Sequence, residues 1–222
     1  MERARQDVSD ILGLKRGKVS VGAIPTVPPC LLPRVLPSFR RVYPNVTLSV
    51  REDLTSALVE QLIQGAFDLA LLSLPVSWGV LISERLLDEP MLLVVPRRHP
   101  FARQQGRPVV VGENLREPLL LMKEGHCFRD DVLQICKRFR VNPRVVFESG
   151  QLDTLVGMVA ADAGVTLLPE MARWHFRRPG VKLLELRQPR PVPTLGIVRA
   201  RDKCVTPSVR AFIKQMKDFC SL

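Results

Sequence analysis

The 222 residues contain no apolar run long enough to cross a bilayer; MLLVVP and PLLLM fall far short of the roughly 20 residues required, so no transmembrane helix is expected. The opening MERARQDVSD lacks the apolar core and small-residue cleavage site of a secretory signal, which makes the cytoplasm the expected compartment. Five cysteines, odd in number and widely spaced, do not form a disulfide scaffold and agree with a reducing environment. There is no G-x-S-x-G, no H-E-x-x-H, no P-loop glycine pattern and no C-x-x-C metal spacing, so a thiol peroxidase or hydrolase has little support and neither metal nor cofactor is expected. Aromatic residues make up only 5%, and no Lys/Arg run is interleaved with them as a single-strand binding platform would require. Acidic residues number 22 against 33 basic ones, and the formal charge of +11 favours anionic partners. Those basic residues are scattered, however, from Arg40 and Arg41 through Arg97 and Arg98 to Arg177 and Arg178, and read as solvated faces.

With 46% hydrophobic and 25% charged residues, the chain has the composition of a soluble globular protein, long enough for one large domain or two small lobes. From Lys18 the pattern is strand then helix. KVSVGAI alternates apolar and polar residues, and Leu31, Leu32, Val35, Leu36, Phe39 and Val42 then recur at helical spacing. VTLSV reads as a strand, SALVEQLIQGA as a helix with Leu58, Val59, Leu62 and Ile63 on one face, and DLALLSL as a buried strand. At LLDEPMLLVVPRRHP a long apolar strand is interrupted by Asp88, Glu89 and Pro90, and the order repeats through PLLLMK, GHCFRDDVLQICKRFR, RVVFE, QLDTLVGMVAADA and VTLLP. VKLLELR and PTLGIVRA follow as strands, and TPSVRAFIKQMKDF closes the chain as a helix with Thr206 as N-cap before Pro207.

The expectation is an α/β protein of two Rossmann-like lobes built on parallel sheets and joined by a crossover hinge. Residues 17–89 with 197–222 would form lobe I and residues 90–196 lobe II, with 1–16 the remnant of a linker helix. A ligand cleft is expected near the carboxyl ends of the strands.

The segment GHCFRDDVLQIC places Cys127 in the first turn of a helix anchored by Phe128, Val132, Ile135, Cys136 and Phe139. Backbone N–H groups and the positive end of the dipole favour a thiolate there, with His126 and Arg129 able to add to the effect. Nine residues separate Cys127 from Cys136. In a regular helix that puts their Cα atoms about 13 Å apart on opposite faces, whereas a disulfide needs less than about 7 Å. Joining the two thiols therefore demands that the helix unwind, a spacing suited to a switch. The plainer reading, that both are small buried core residues, stays open on spacing alone. Cys30, Cys204 and Cys220 read as structural or incidental.

GHCFRD with a second cysteine nine residues after the first resembles the redox segment of the hydrogen-peroxide sensors among LysR-type transcription regulators. VGAIPTVPPCLLPRVLPSF, LLDEPMLLVVPRRHPFA and LDTLVGMVAADAGVTLLP extend the resemblance over nearly the whole chain, to a regulatory domain with two periplasmic-binding-protein-like lobes. The resemblance implies that Cys127 is the peroxidatic cysteine and Cys136 the resolving one. It also implies that Thr26, Thr55, His126 and Asp130 hold hydrogen peroxide. Without it, Thr26 reads as a turn or cap hydroxyl, Thr55 as the N-cap of SALVEQL, and Asp130 as a first-turn acid. Where relatives often carry glutamine four residues after the reactive cysteine, this sequence has Asp131, a negative charge near the thiolate. The family further implies a homodimer, a tetramer in the full-length protein, promoter DNA bound through an N-terminal winged helix-turn-helix, and contact with RNA polymerase. A LysR-type domain binding a small organic effector in the interlobe cleft is the rival reading.

Overall fold

The computed structural model describes residues 16–76, 78–103, 108–110, 117–187 and 192–221. The expected linker-helix remnant lies outside them, apart from Arg16. Two compact units emerge: one runs through Leu87 and resumes at Thr194, and the other is Asp88–Pro193. The sequence-based boundaries at 89/90 and 196/197 thus differ by two or three residues, because the strand beginning at Thr194 pairs along its length with the first unit.

The first unit starts with β1 (Gly17–Ala23), the short helix α1 (Val27–Cys30) and α2 (Leu32–Val42). Then come β2 (Val46–Glu52), α3 (Thr55–Ile63), β3 (Leu69–Leu74) and β4 (Leu81–Asp88). After the second unit the chain returns as β10 (Thr194–Ala200) and α6 (Pro207–Cys220). The sheet order is β2-β1-β3-β10-β4. β1 is parallel to both β2 and β3, as strands linked by crossover helices must be. Val19, Val21, Leu58, Leu62 and Leu69 to Leu72 form the core, with Phe39 meeting Phe212 edge to face at 5.2 Å. Val42 and Ile63, expected on buried faces, are the last residues of their helices and turn out to solvent.

The second unit contains β5 (Met91–Pro96), β6 (Leu119–Met122), α4 (Cys127–Arg138), β7 (Val145–Ser149), α5 (Leu152–Ala160), β8 (Thr166–Pro169) and β9 (Val181–Glu185). β6 and β7 are parallel, and a parallel bridge between Leu119 and Val165 brings β6 against the start of β8. The close approach needs Gly164, whose φ is +153°, since a Cβ there would lie 2.1 Å from the Pro118 carbonyl oxygen.

Fully parallel sheets are corrected by the strand directions. β10 runs antiparallel to β3, and β5 antiparallel to both β8 and β9. These are strands at which the chain passes from one unit to the other without a covering helix, so the crossover rule does not constrain them. The Asp88-Glu89-Pro90 interruption separates β4 from β5. Glu89 is buried there, and its carboxylate accepts the Met171 N–H at 2.9 Å.

Candidate functional site

α4 begins where β6 ends. Lys123 still donates its backbone N–H to the Ser149 carbonyl, and the chain then reverses through Glu124 and Gly125. Gly125 has φ +87°, a left-handed conformation that costs a residue with a Cβ. His126 is the N-cap and Cys127 the first helical residue. Phe128, Val132, Ile135 and Cys136 fill the buried stripe of the helix, and Cys127 is half-buried on its flank. Both cysteines are free thiols, and the helix between them is continuous.

Their environments differ sharply. Cys136 is 1% exposed, and burial pushes its thiol up to about 11, so at neutral pH it is an inert neutral group. Cys127 sits at the positive end of the α4 dipole, where an anion is favoured.

His126 and Arg129 do not contribute as the sequence suggests. The His126 imidazole is 9% exposed, and desolvation lowers its pKa, so it is neutral at pH 7 and lends no positive charge. Its Nδ1 is buried without a hydrogen-bond partner, a costly arrangement that a small polar molecule would relieve. Its Nε2 faces the backbone of Gly150, 3.8 Å from where a Cβ would stand. The Arg129 guanidinium turns back along the strands, donating to the Met122 carbonyl at 2.9 Å and pairing with Glu148. Asp130 is exposed on the first turn, and Asp131 is half-buried.

In the first unit, Thr26 and Thr55 occupy equivalent places. Each lies three residues beyond the carboxyl end of its strand, and those strands are paired neighbours with Ala23 opposite Glu52. Asp53 holds the two ends together by donating its N–H to the Ala23 carbonyl at 3.3 Å. Thr26 is 4% exposed and is the N-cap residue of α1, but its side chain makes no capping bond. Thr55 is not an N-cap: Leu54 holds that position and Thr55 is the first helical residue, with a buried hydroxyl oxygen that has no partner. The N-cap reading fails because the Asp53 carboxylate already accepts the Leu54 N–H at 2.8 Å and sets the entry to the helix one residue earlier. Thr26 and Thr55 thus share one edge of the first unit, and His126, Cys127 and Asp130 one helix start in the second.

Residues 12–221 match the family model described as the LysR substrate binding domain. The chain belongs to the LysR substrate-binding domain family. Within that family it is 34% identical over 203 residues to the DNA-binding transcriptional dual regulator OxyR of Escherichia coli K12, covering 88% of this chain and 66% of that protein. It spans about 60% of the hydrogen peroxide-inducible genes activators of Dickeya chrysanthemi (59%) and Pectobacterium carotovorum (60%). Among solved LysR-type structures, the reduced OxyR regulatory domain from Pseudomonas aeruginosa superposes with a TM-score of 0.80 at 29% identity, over 91% of this chain and 98% of that one. A hydrogen-peroxide-bound cysteine-to-serine mutant of Corynebacterium glutamicum OxyR matches with a TM-score of 0.82 at 27% identity, over 98% and 70%. Named relatives of this LysR domain are therefore transcription regulators. No helix among the described residues is long and apolar enough to cross a membrane.

Proposed function

We propose that this chain is the sensory region of a hydrogen-peroxide-responsive transcription regulator, and that Cys127 and Cys136 are its switch. The observation that carries the reading is the asymmetry of α4: a half-buried thiol at its first residue, beside a buried imidazole with an unsatisfied nitrogen, and a second thiol sealed in the core on the opposite face.

The chemistry runs in two steps. The Cys127 thiolate attacks one peroxide oxygen; an S–O bond forms, the O–O bond breaks, and the departing hydroxide takes a proton to become water. The sulfur is oxidised by two electrons and the peroxide reduced by two. Cys136 then attacks the Cys127 sulfur, forming S–S, breaking S–O and releasing a second water. With its thiol pushed up to about 11, Cys136 is unreactive while buried, so the helix must open before the second step. The order follows: oxidation first, unwinding next, disulfide last.

His126 and Asp130, at the helix start that Cys127 opens, are residues we assign to peroxide; Thr26 and Thr55 are further candidates on the resemblance alone. Hydroxyls and a neutral imidazole can donate to the oxygens and supply the proton for the leaving hydroxide. The protein carrying this region would be cytoplasmic, act as a homodimer or tetramer on promoter DNA through a separate N-terminal domain, and contact RNA polymerase. It would sense rather than turn over, with unwinding of α4 as the bistable element.

The test is intact mass with peptide mapping after stoichiometric peroxide is added to reduced protein. The expected result is a loss of two hydrogens localised to Cys127 and Cys136, abolished in Cys127→Ser. Untouched thiols at both positions would overturn the reading.

A further inference from the structure

The start of α4 is fastened from outside the helix. An N-cap side chain ordinarily accepts one of the first free N–H groups, but His126, the N-cap here, makes no such bond. Two residues after Cys127, Arg129 reaches to the strands instead. Its Nη1 donates to the carbonyl of Met122, the last residue of β6, at 2.9 Å, and the same nitrogen pairs with the Glu148 carboxylate on β7. In the paired strands Met122 stands opposite Ser149 and Leu121 opposite Glu148, so both acceptors lie at the same end of the sheet. One nitrogen thus joins three elements.

The Arg129 side chain is 14% exposed and that of Glu148 41%. The ion pair taken alone is partly solvated and modest. The bond to the Met122 carbonyl, made by a charged donor largely out of water, is the stronger part. Arg129 also lies between the two cysteines, on the turn that must open if Cα atoms about 13 Å apart are to come within disulfide reach. Unwinding that turn carries the Arg129 backbone away from the strands, so these contacts belong to the helical form.

We propose that Arg129 is a positioning residue for the switch: by tying the first turn of α4 to β6 and β7, it holds Cys127 in the helical arrangement and sets how readily the helix opens toward Cys136. The consequence for the disulfide rests on the peroxide-sensing reading; the local tie does not.

The experiment combines amide hydrogen exchange of the reduced chain with a redox titration against glutathione, in the unaltered protein, Arg129→Met, Glu148→Gln and the double variant. Losing a hydrogen bond from a charged donor changes an opening equilibrium by about tenfold or more. Exchange in the first two turns of α4 is expected to quicken by that factor in Arg129→Met, with α5 and β5 unaffected. Glu148→Gln should do less, and the double variant no more than Arg129→Met, because Glu148 acts through the guanidinium. The Cys127–Cys136 potential in Arg129→Met should become more negative by about 30 mV, the same tenfold for a two-electron couple. Unchanged exchange in α4, exchange raised equally throughout the second unit, or a potential that stays in place while α4 loosens would each overturn the proposal. Loosening confined to α4, in a chain whose unaltered form makes no Cys127–Cys136 disulfide with peroxide, would sustain the tie and remove the redox reading.

Discussion

At the scale of single residues, His126 has the most exacting environment near the site. A neutral ring is held where Nδ1 finds no partner, and protonating it would bury a charge. Its folded pKa lies below the ordinary histidine value, so the sign is definite. The stability this contributes is fully present above the unfolded-state pKa near 6.5 and is lost as the pH falls toward the folded value. Urea unfolding at pH 7.5 and pH 5.0 should show the unaltered protein losing more stability on acidification than His126→Gln; equal losses would remove the buried-neutral assignment. Which residues lie near the helix start was legible in GHCFRD. Their charge states were not, because a sequence shows that a histidine and an arginine flank a cysteine but not that one is desolvated and the other tied to Glu148. Thr55 makes the same point: a threonine before an apolar helix reads as a cap until the neighbouring Asp53 is seen to set the helix entry.

At the scale of elements, α4 was readable because its anchors Phe128, Val132, Ile135 and Cys136 repeat with the period of a helix. Strand direction was not, since alternation of apolar residues is the same read either way, and the antiparallel β5 and β10 look like any other buried strand. The anchors also give the switch its energetic cost. Each apolar side chain that leaves the core on unwinding forfeits about 1.5–3 kcal/mol, which the disulfide must offset. Weakening one anchor should therefore favour the unwound form. Ile135→Ala is expected to destabilise the reduced protein by about 2–4 kcal/mol and, because part of that cost vanishes once α4 is unwound, to make the Cys127–Cys136 disulfide harder to reduce. At about 30 mV per 1.4 kcal/mol, a redox titration against glutathione should register a potential more negative by tens of millivolts. An unchanged potential would mean that Ile135 stays buried in the oxidised state and that the opening is confined to other residues.

At the scale of the whole molecule, the chain is interleaved: the first unit is begun by residues up to Leu87 and finished only by Thr194 onward. β10 sits between β3 and β4, so two of the five strands meet only through a strand made after the entire second unit. α6 covers the same sheet, burying Val209, Phe212 and Met216, with Phe212 against Phe39. Lys203 fastens the segment between them: it donates to the Gly65 and Phe67 carbonyls and pairs with Asp68 at 3.1 Å. The second unit, by contrast, is one continuous stretch, Asp88–Pro193, whose strands pair among themselves. Ending the chain at Pro193 should thus unfold the first unit selectively. Limited proteolysis of that truncation is expected to cut throughout Gly17–Leu87 while sparing α4, α5 and the β5 sheet. If β1 to β4 resisted cleavage as in the intact chain, the first unit would be stable without β10 and α6, and the dependence inferred from the strand order would be wrong.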